Sequence, residues 1–456
     1  MKLIFLLIAT ISCDLSFSQN KDSIQIKKIF NEALENGECY QNLEVLCKDI
    51  GHRLTASPGA EKAIEWGEKL LEKYKFDNVY LQPVQVPNWK RGGNDAGWFS
   101  TPEFKTQKKL SLLALGGSIG TNGTLTAEII EVKTFEELEK LGKEKIEGKI
   151  VFFNRAMDRK NISTFKSYGG CYDQRGYGAI YAAQYGAKAV LVRSLSLKMD
   201  NNPHTGSMMY LDSIPKIPAA AISTRDCVKL KQQLLNGKKV TVSLNLQCKS
   251  FPDVTSYNVI GEIKGSENPE NIILVGGHLD SWDVGEGAHD DGAGIVHSIE
   301  ALRLLKATDY KPKNTIRVVL FINEENGNRG GKEYARVTKE KNINHIAAIE
   351  SDRGGFSPRG FTIDGTPKQV KKLQTFKDLL KPYNLHILEK GYGGVDIGPL
   401  KNGKIALIGL VPDSQRYFDH HHAQSDLFEN VNQRELELGA ASCAALLYLI
   451  DQYGIN

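Results

Sequence analysis

Ile272-Ile273-Leu274-Val275-Gly276-Gly277-His278-Leu279-Asp280 decides how this chain is read. Four apolar residues in a row, three of them β-branched, describe a strand buried on both faces. Two glycines then loosen the backbone, and an imidazole and a carboxylate follow at once. The same order recurs downstream. Val318 to Ile322 is followed by Asn323-Glu324-Glu325, and Ala347-Ala348-Ile349 by Glu350-Ser351-Asp352. A strand ending at Val411 leads into a loop with Asp419-His420-His421-His422 and then Asp426.

Working outward, strands are expected over 271–275, 315–322, 346–350, 385–388 and 404–411. Helices are expected near 291–306, 330–341, 367–381 and 430–452. In the first helix Ile295, Ile299 and Leu302 form one apolar stripe. Strands alternating with helices imply an open, mostly parallel sheet covered on both faces. In such sheets ligands bind outside the carboxyl ends of the strands. Acids and imidazoles at four strand ends therefore converge on one cleft.

Further toward the N-terminus, residues 20–80 carry apolar residues at helical spacing, such as Ile26, Ile29 and Phe30. Residues 79–86 alternate like a strand, and the Gly-, Asn- and Trp-rich piece 88–102 reads as a loop. From 119 short strand-like pieces alternate with Gly-rich turns. No ligand-like cluster appears there, and His204 stands alone. Residues 119–251 read as a second, strand-rich domain inserted between 19–118 and 252–456.

Residues 1–18 read as a targeting segment. Lys2 is followed by the apolar run Leu3 to Ala9 and then by small residues near Ser16-Phe17-Ser18. The run is too short to span a bilayer. Export to the periplasm or the medium follows, and a lipid anchor on Cys13 ranks below simple secretion. Six cysteines remain after residue 18, none in a CxxC pattern, and each is equally readable as a small buried side chain. The nearest pair is Cys39 and Cys47. The 456 residues carry 58 Lys and Arg against 54 Asp and Glu, a formal charge of +4. No basic run appears, so a nucleic-acid partner is not indicated.

Imidazole nitrogen and carboxylate oxygen are usual zinc ligands, and catalytic zinc keeps a position open for water. Two neighbouring ions need a bridging carboxylate, and Asp290, within the turn Gly285 to Gly294, is the candidate. Asp280 is suited to orienting the His278 imidazole. Blander readings stand beside these. Asp280, Asp290 and Asp291 could cap a helix, Glu324 and Glu325 could be a solvated pair, and the histidine run could scavenge metal at the surface.

The motifs GGHLDSWDVGEGAHDDGAG (276–294), NEENG (323–327), ESD (350–352) and HHAQSD (421–426) together resemble the co-catalytic zinc exopeptidases. That family includes carboxypeptidase Q and many bacterial aminopeptidases, and the HLDSWD wording fits the carboxypeptidase Q branch best. The resemblance implies a three-layer zinc-exopeptidase sandwich with an inserted protease-associated domain. It implies two Zn²⁺ per chain: one on His278 and Asp352, the other on Glu325 and His422, with Asp290 bridging. It implies Glu324 as general base and His421 as an aid to the oxyanion. The family aspartate stands four residues after the last ligand, and Asp426 selects His422 over His421. Short unblocked peptides are the implied substrates, whichever terminus is read, and a homodimer is compatible with the sequence. The rival readings are a metal-loaded binding protein and another two-zinc amide hydrolase.

Overall fold

The computed structural model describes residues 21–93, 95–103 and 106–455. The targeting segment and Cys13 lie outside them. Two eight-stranded sheets organise the chain.

The first sheet runs, in spatial order, Asn78–Lys90, Lys249–Ile263, Asn314–Phe321, Asn268–His278, Asn344–Glu350, Ala406–Pro412, Pro358–Asp364 and Ile387–Lys390. The four strands at its centre are parallel. Alternate side chains of each enter different cores. Ile273 and Val275 join the layer built from helices Ala293–Ala307 and Gln433–Tyr453, while Leu274 faces Tyr334 and Ile397 on the other side. Burial on both faces is why these strands read as unbroken apolar runs.

The flanks supply the antiparallel pairs of the expected mostly parallel sheet. Asn78–Lys90, Lys249–Ile263 and Pro358–Asp364 all pair antiparallel, so the sheet is mixed. Two of these strands were not among those expected, and their exposure is the reason: the first half of Lys249–Ile263 is open to solvent, and Pro358–Asp364 mixes buried with half-buried residues. Neither resembles a core strand in sequence.

The second sheet runs Lys108–Leu110, Ala96–Ser100, Thr241–Asn245, Leu125–Val132, Ile150–Phe153, Ala189–Arg193, Ala219–Ile222 and Leu112–Ala114. It too is mixed and packs a core on each face, with Phe152 in one and Phe153 in the other. The segment 88–102, expected as a loop, instead holds the end of one strand and the whole of another. Trp89 and Phe99 are buried there because each points into the second region's core. The second sheet thus reaches back to Ala96. The chain leaves the first sheet and returns to it through one antiparallel pair, with Lys90 opposite Lys249.

All six described cysteines are buried and free. Among the described residues no helix is long and apolar enough to cross a membrane.

Candidate metal centre

The four parallel strands deliver their last residues to one edge. His278 closes its strand. Asn323, at φ 68°, turns the chain so that Glu324 and Glu325 follow directly. Asp352 stands two residues beyond the strand ending at Glu350. The histidine run follows the short helical turn Tyr417–Asp419, and His422 adopts φ 62°, a conformation few non-glycine residues take.

Asp290 lies at the centre. Its Oδ1 is 3.3 Å from His278 Nε2, which is itself 3.5 Å from Asp352 Oδ1. Its Oδ2 is 3.2 Å from His422 Nε2 and 3.7 Å from His421 Nε2. His422 Nε2 is also 3.0 Å from Glu325 Oε2. One carboxylate therefore faces two sets of donors. His278, Asp290 and Asp352 offer ligand atoms within 4.8 Å of one another, and so do Asp290, His421 and His422. Asp290 Oδ2 and Glu325 Oε1 are buried with no hydrogen-bond partner among the described residues. Buried, unsatisfied oxygens beside imidazole nitrogens are what a cation such as zinc would complete.

Charge follows this geometry. Burial would hold the His422 imidazole down, but the charge of Glu325 and the close contact of Asp290 push it up to about 9. Its neighbour His421 is stacked on it at 3.6 Å and goes the other way. Burial and the charge of His422 hold it well below the usual histidine range. Burial raises Glu324 well above an ordinary carboxylate; His278 opposes this, and the charges of Asp352 and Glu325 add to it.

Neighbouring groups fix the backbone. Asp280 acts through both its side chain and its main chain. Its carboxylate accepts the N–H groups of Glu324 and Glu325 at 3.0 and 3.2 Å, while the His278 Nδ1 rests on the Asp280 backbone carbonyl at 2.9 Å. Asp280 thus orients the imidazole through its main chain and the glutamate pair through its side chain. Asp426 accepts the N–H groups of His289 and Asp290. Asp291 accepts those of His278 and Gly294.

Several groups escaped the sequence reading. Arg53 is fully buried and donates to the carbonyls of Gly51, Leu279, Glu286 and Gly287, clamping the loop that carries Asp290. A Cβ on Gly287 would strike Ser281 at 2.4 Å and Arg53 at 2.9 Å. The second region contributes His204, whose Nδ1 contacts the His421 carbonyl at 2.7 Å. Burial holds that imidazole down to about 4, so it is neutral and donates. Thr205 N–H donates to the His422 carbonyl at 2.9 Å, and the Ser207 hydroxyl donates to the Glu325 carbonyl. None of these residues carries a motif. His297, His345 and His386 stand apart, held by Ser351, Tyr334 and the Asn384 carbonyl respectively.

Both regions line a cleft of about 910 Å³, with Tyr168, Arg175 and Ser207 on one side and Glu324, Asp352 and Tyr392 on the other. That is the upper part of the range of small-ligand pockets, roughly 300–1,000 Å³.

The model of peptidase family M28 matches residues 258–447. Over 412 residues the chain is 36% identical to carboxypeptidase Q of Bos taurus, covering 90% of this chain and 84% of the relative. A solved peptidase M28 precursor from Shewanella amazonensis SB2B superposes with a TM-score of 0.90 at 32% identity, over 95% of this chain and 97% of the other. A zinc aminopeptidase from Bacillus subtilis shares the fold at a TM-score of 0.66 and 21% identity, over 91% and 95% of the two chains.

Proposed function

The chain belongs to peptidase family M28 and is a zinc metallopeptidase, and from that premise we propose that it is an exported two-zinc exopeptidase of short, unblocked peptides. The observation that carries the two-metal reading is Asp290. Its Oδ1 faces His278, which also reaches Asp352, and its Oδ2 faces His422, which also reaches Glu325. We assign one ion to His278 and Asp352, the other to Glu325 and His422, with Asp290 shared. His422 is favoured over His421 because it alone of the two touches both Asp290 and Glu325.

When bound, the ions lower the pKa of a water and polarise the scissile carbonyl. Glu324 accepts the water's proton on its carboxylate and returns it to the leaving amine. Its raised proton affinity suits that exchange. His421 is neutral, and a ring N–H aimed at the carbonyl oxygen would support the developing negative charge. Asp280 holds the Glu324 and Glu325 backbone so that one glutamate faces substrate and the other the metal.

The cleft's size supports short substrates, and its two-sided wall supports exclusion of folded proteins. We assign residues 96–245 to an inserted, protease-associated-like unit that forms one side of that wall. The apolar run Leu3 to Ala9 supports export. A panel of dipeptides and tripeptides, free and blocked at each end, assayed with zinc present, tests the reading. Free short peptides are expected to be cut and a folded protein left intact. Comparable internal cleavage of a peptide blocked at both ends would replace the exopeptidase with an endopeptidase.

A further inference from the structure

Resting on the exopeptidase reading, we propose that Arg175 is the residue that reads the free α-carboxylate of the substrate peptide. Arg175 lies on the short helix Tyr172–Gly176, is 4% exposed and lines the cleft. A guanidinium keeps its charge at any working pH, and a buried charge is costly unless it is paired.

Four arginines are buried among the described residues: Arg53, Arg91, Arg175 and Arg317. Arg91 pairs with Asp283 and Asp95, and Arg317 with Glu262. Arg53 spends its donors on four backbone carbonyls. Arg175 differs from all three. Its contacts are the Thr205 carbonyl at 3.3 Å, the Tyr168 hydroxyl at 2.6 Å and His422 Nδ1 at 3.4 Å. None is a carboxylate, and its Nε–H is buried with no partner. The rings of Tyr168 and Tyr172 flank the guanidinium at 5.4 and 5.1 Å.

The donor count leaves room for an anion. A guanidinium has five N–H groups. One goes to Thr205 and one to Tyr168. His422 Nδ1 also reaches the Thr205 carbonyl, at 3.3 Å, and when it carries the proton for that bond it cannot accept from Arg175. Three N–H groups then remain, enough for the two parallel bonds with which a guanidinium grips a carboxylate.

Position supplies the second argument. Gly206, at φ 135°, lets Arg175 and His422 come together; a Cβ there would lie 2.5 Å from the Arg175 Cζ and 2.7 Å from His422 Nδ1. An anion held by Arg175 therefore sits beside a proposed metal ligand. In a dipeptide the carboxylate carbon is two bonds from the scissile nitrogen. One guanidinium here would anchor the carboxylate and register the bond to be cut. Arg353 also lines the cleft, but it is only partly buried and donates to Thr362 Oγ1 and the Tyr392 carbonyl. Unlike Arg175 it feels the opposite charges of Asp352 and Glu350, which makes it the control.

The test measures kcat and KM for one dipeptide as free acid and as C-terminal amide, in wild type, R175M, R175K and R353M, with zinc content determined for each. Wild type should favour the acid by roughly ten- to a hundredfold in kcat/KM, the worth of a charge-assisted hydrogen bond. R175M should bring that ratio to near one, mainly through KM. R175K should keep part of it, and R353M should keep it all. An R175M enzyme that loses acid and amide hydrolysis in the same proportion, or that retains the preference, overturns the proposal. So does a preference that collapses in R353M instead. Failure of the exopeptidase reading is seen separately, in wild type alone, as cleavage of the doubly blocked peptide.

Discussion

At the cleft, the sheet centred on residues 268–412 contributes side chains: His278, Asp290, Glu324, Glu325, Asp352 and His422. The sheet of residues 96–245 contributes supports. His204, Thr205 and Ser207 bind the backbone carbonyls of His421, His422 and Glu325 respectively. In the proposed assignment the first region supplies the metal ligands and the base, and the second, Arg175 apart, holds the peptide units that carry them. Losing a ligand or a base removes a chemical function, whereas losing a support shifts a geometry. The two regions should therefore fail differently when altered.

The largest effect belongs to the metals. A chelator should abolish activity, and added zinc should restore it, with about two zinc per chain on metal analysis. Asp290→Ala should mimic chelation, because both ligand sets lose their shared oxygen donor. Full turnover in a zinc-free preparation would break the comparison at its first side.

Next comes Glu324→Gln, which keeps the shape and cannot accept the proton. Activity should fall by a factor on the order of 10² to 10⁴, the usual worth of a general base. Zinc content should stay as in wild type. Equal loss of metal from Glu324→Gln and Asp290→Ala would show that both residues hold the ions and that no division into base and bridge exists.

The third test crosses to the other sheet. His204→Ala leaves the buried His421 carbonyl without its donor, a cost of roughly 1–3 kcal/mol. Partners one step removed from a metal typically tune affinity by about 10- to 100-fold. Zinc should therefore bind more weakly in a competition titration, while saturating zinc should still load the enzyme. A protein that can no longer bind zinc would place His204 with the ligands themselves.

The same division explains what the sequence disclosed. His278, Asp290, Glu325 and Asp352, the proposed ligands, stand out in the sequence because each closes or follows a strand buried on both faces, and such strands announce themselves as apolar runs. The choice between His421 and His422 needed Asp426, whose carboxylate anchors the N–H groups of His289 and Asp290. The antiparallel flanks were less visible because their strands are half solvated and punctuated by Pro358 and Gly360. Arg53, Arg175, His204 and Ser207 were not legible. Arg53, His204 and Ser207 act mainly on backbone carbonyls of residues far apart in sequence, and a carbonyl leaves no trace in composition or spacing; Arg175 is marked only by the charged partner it lacks. Asp280 lies between these cases: its importance was plain, but the atoms it holds were not.

Ser207→Ala should give the smallest effect and the finest test. The Ser207 hydroxyl donates to the carbonyl of Glu325, the residue proposed to hold one ion. The hydroxyl is only half buried and lines the cleft, so water can replace it at the carbonyl after substitution. An intramolecular hydrogen bond under such conditions is worth about 0.5–1.5 kcal/mol net, and 1.4 kcal/mol corresponds to a factor of about ten. kcat/KM should fall by no more than about tenfold, with zinc content, and the acid-over-amide ratio set by Arg175, as in wild type. A hundredfold loss would mean that Ser207 does more than hold backbone, since no single support of this kind is worth that much. It would move Ser207 to the substrate side of the cleft, where a KM rise without a kcat change would identify it as a binding group. An unchanged rate would instead show that Glu325 is held by Asp280 alone.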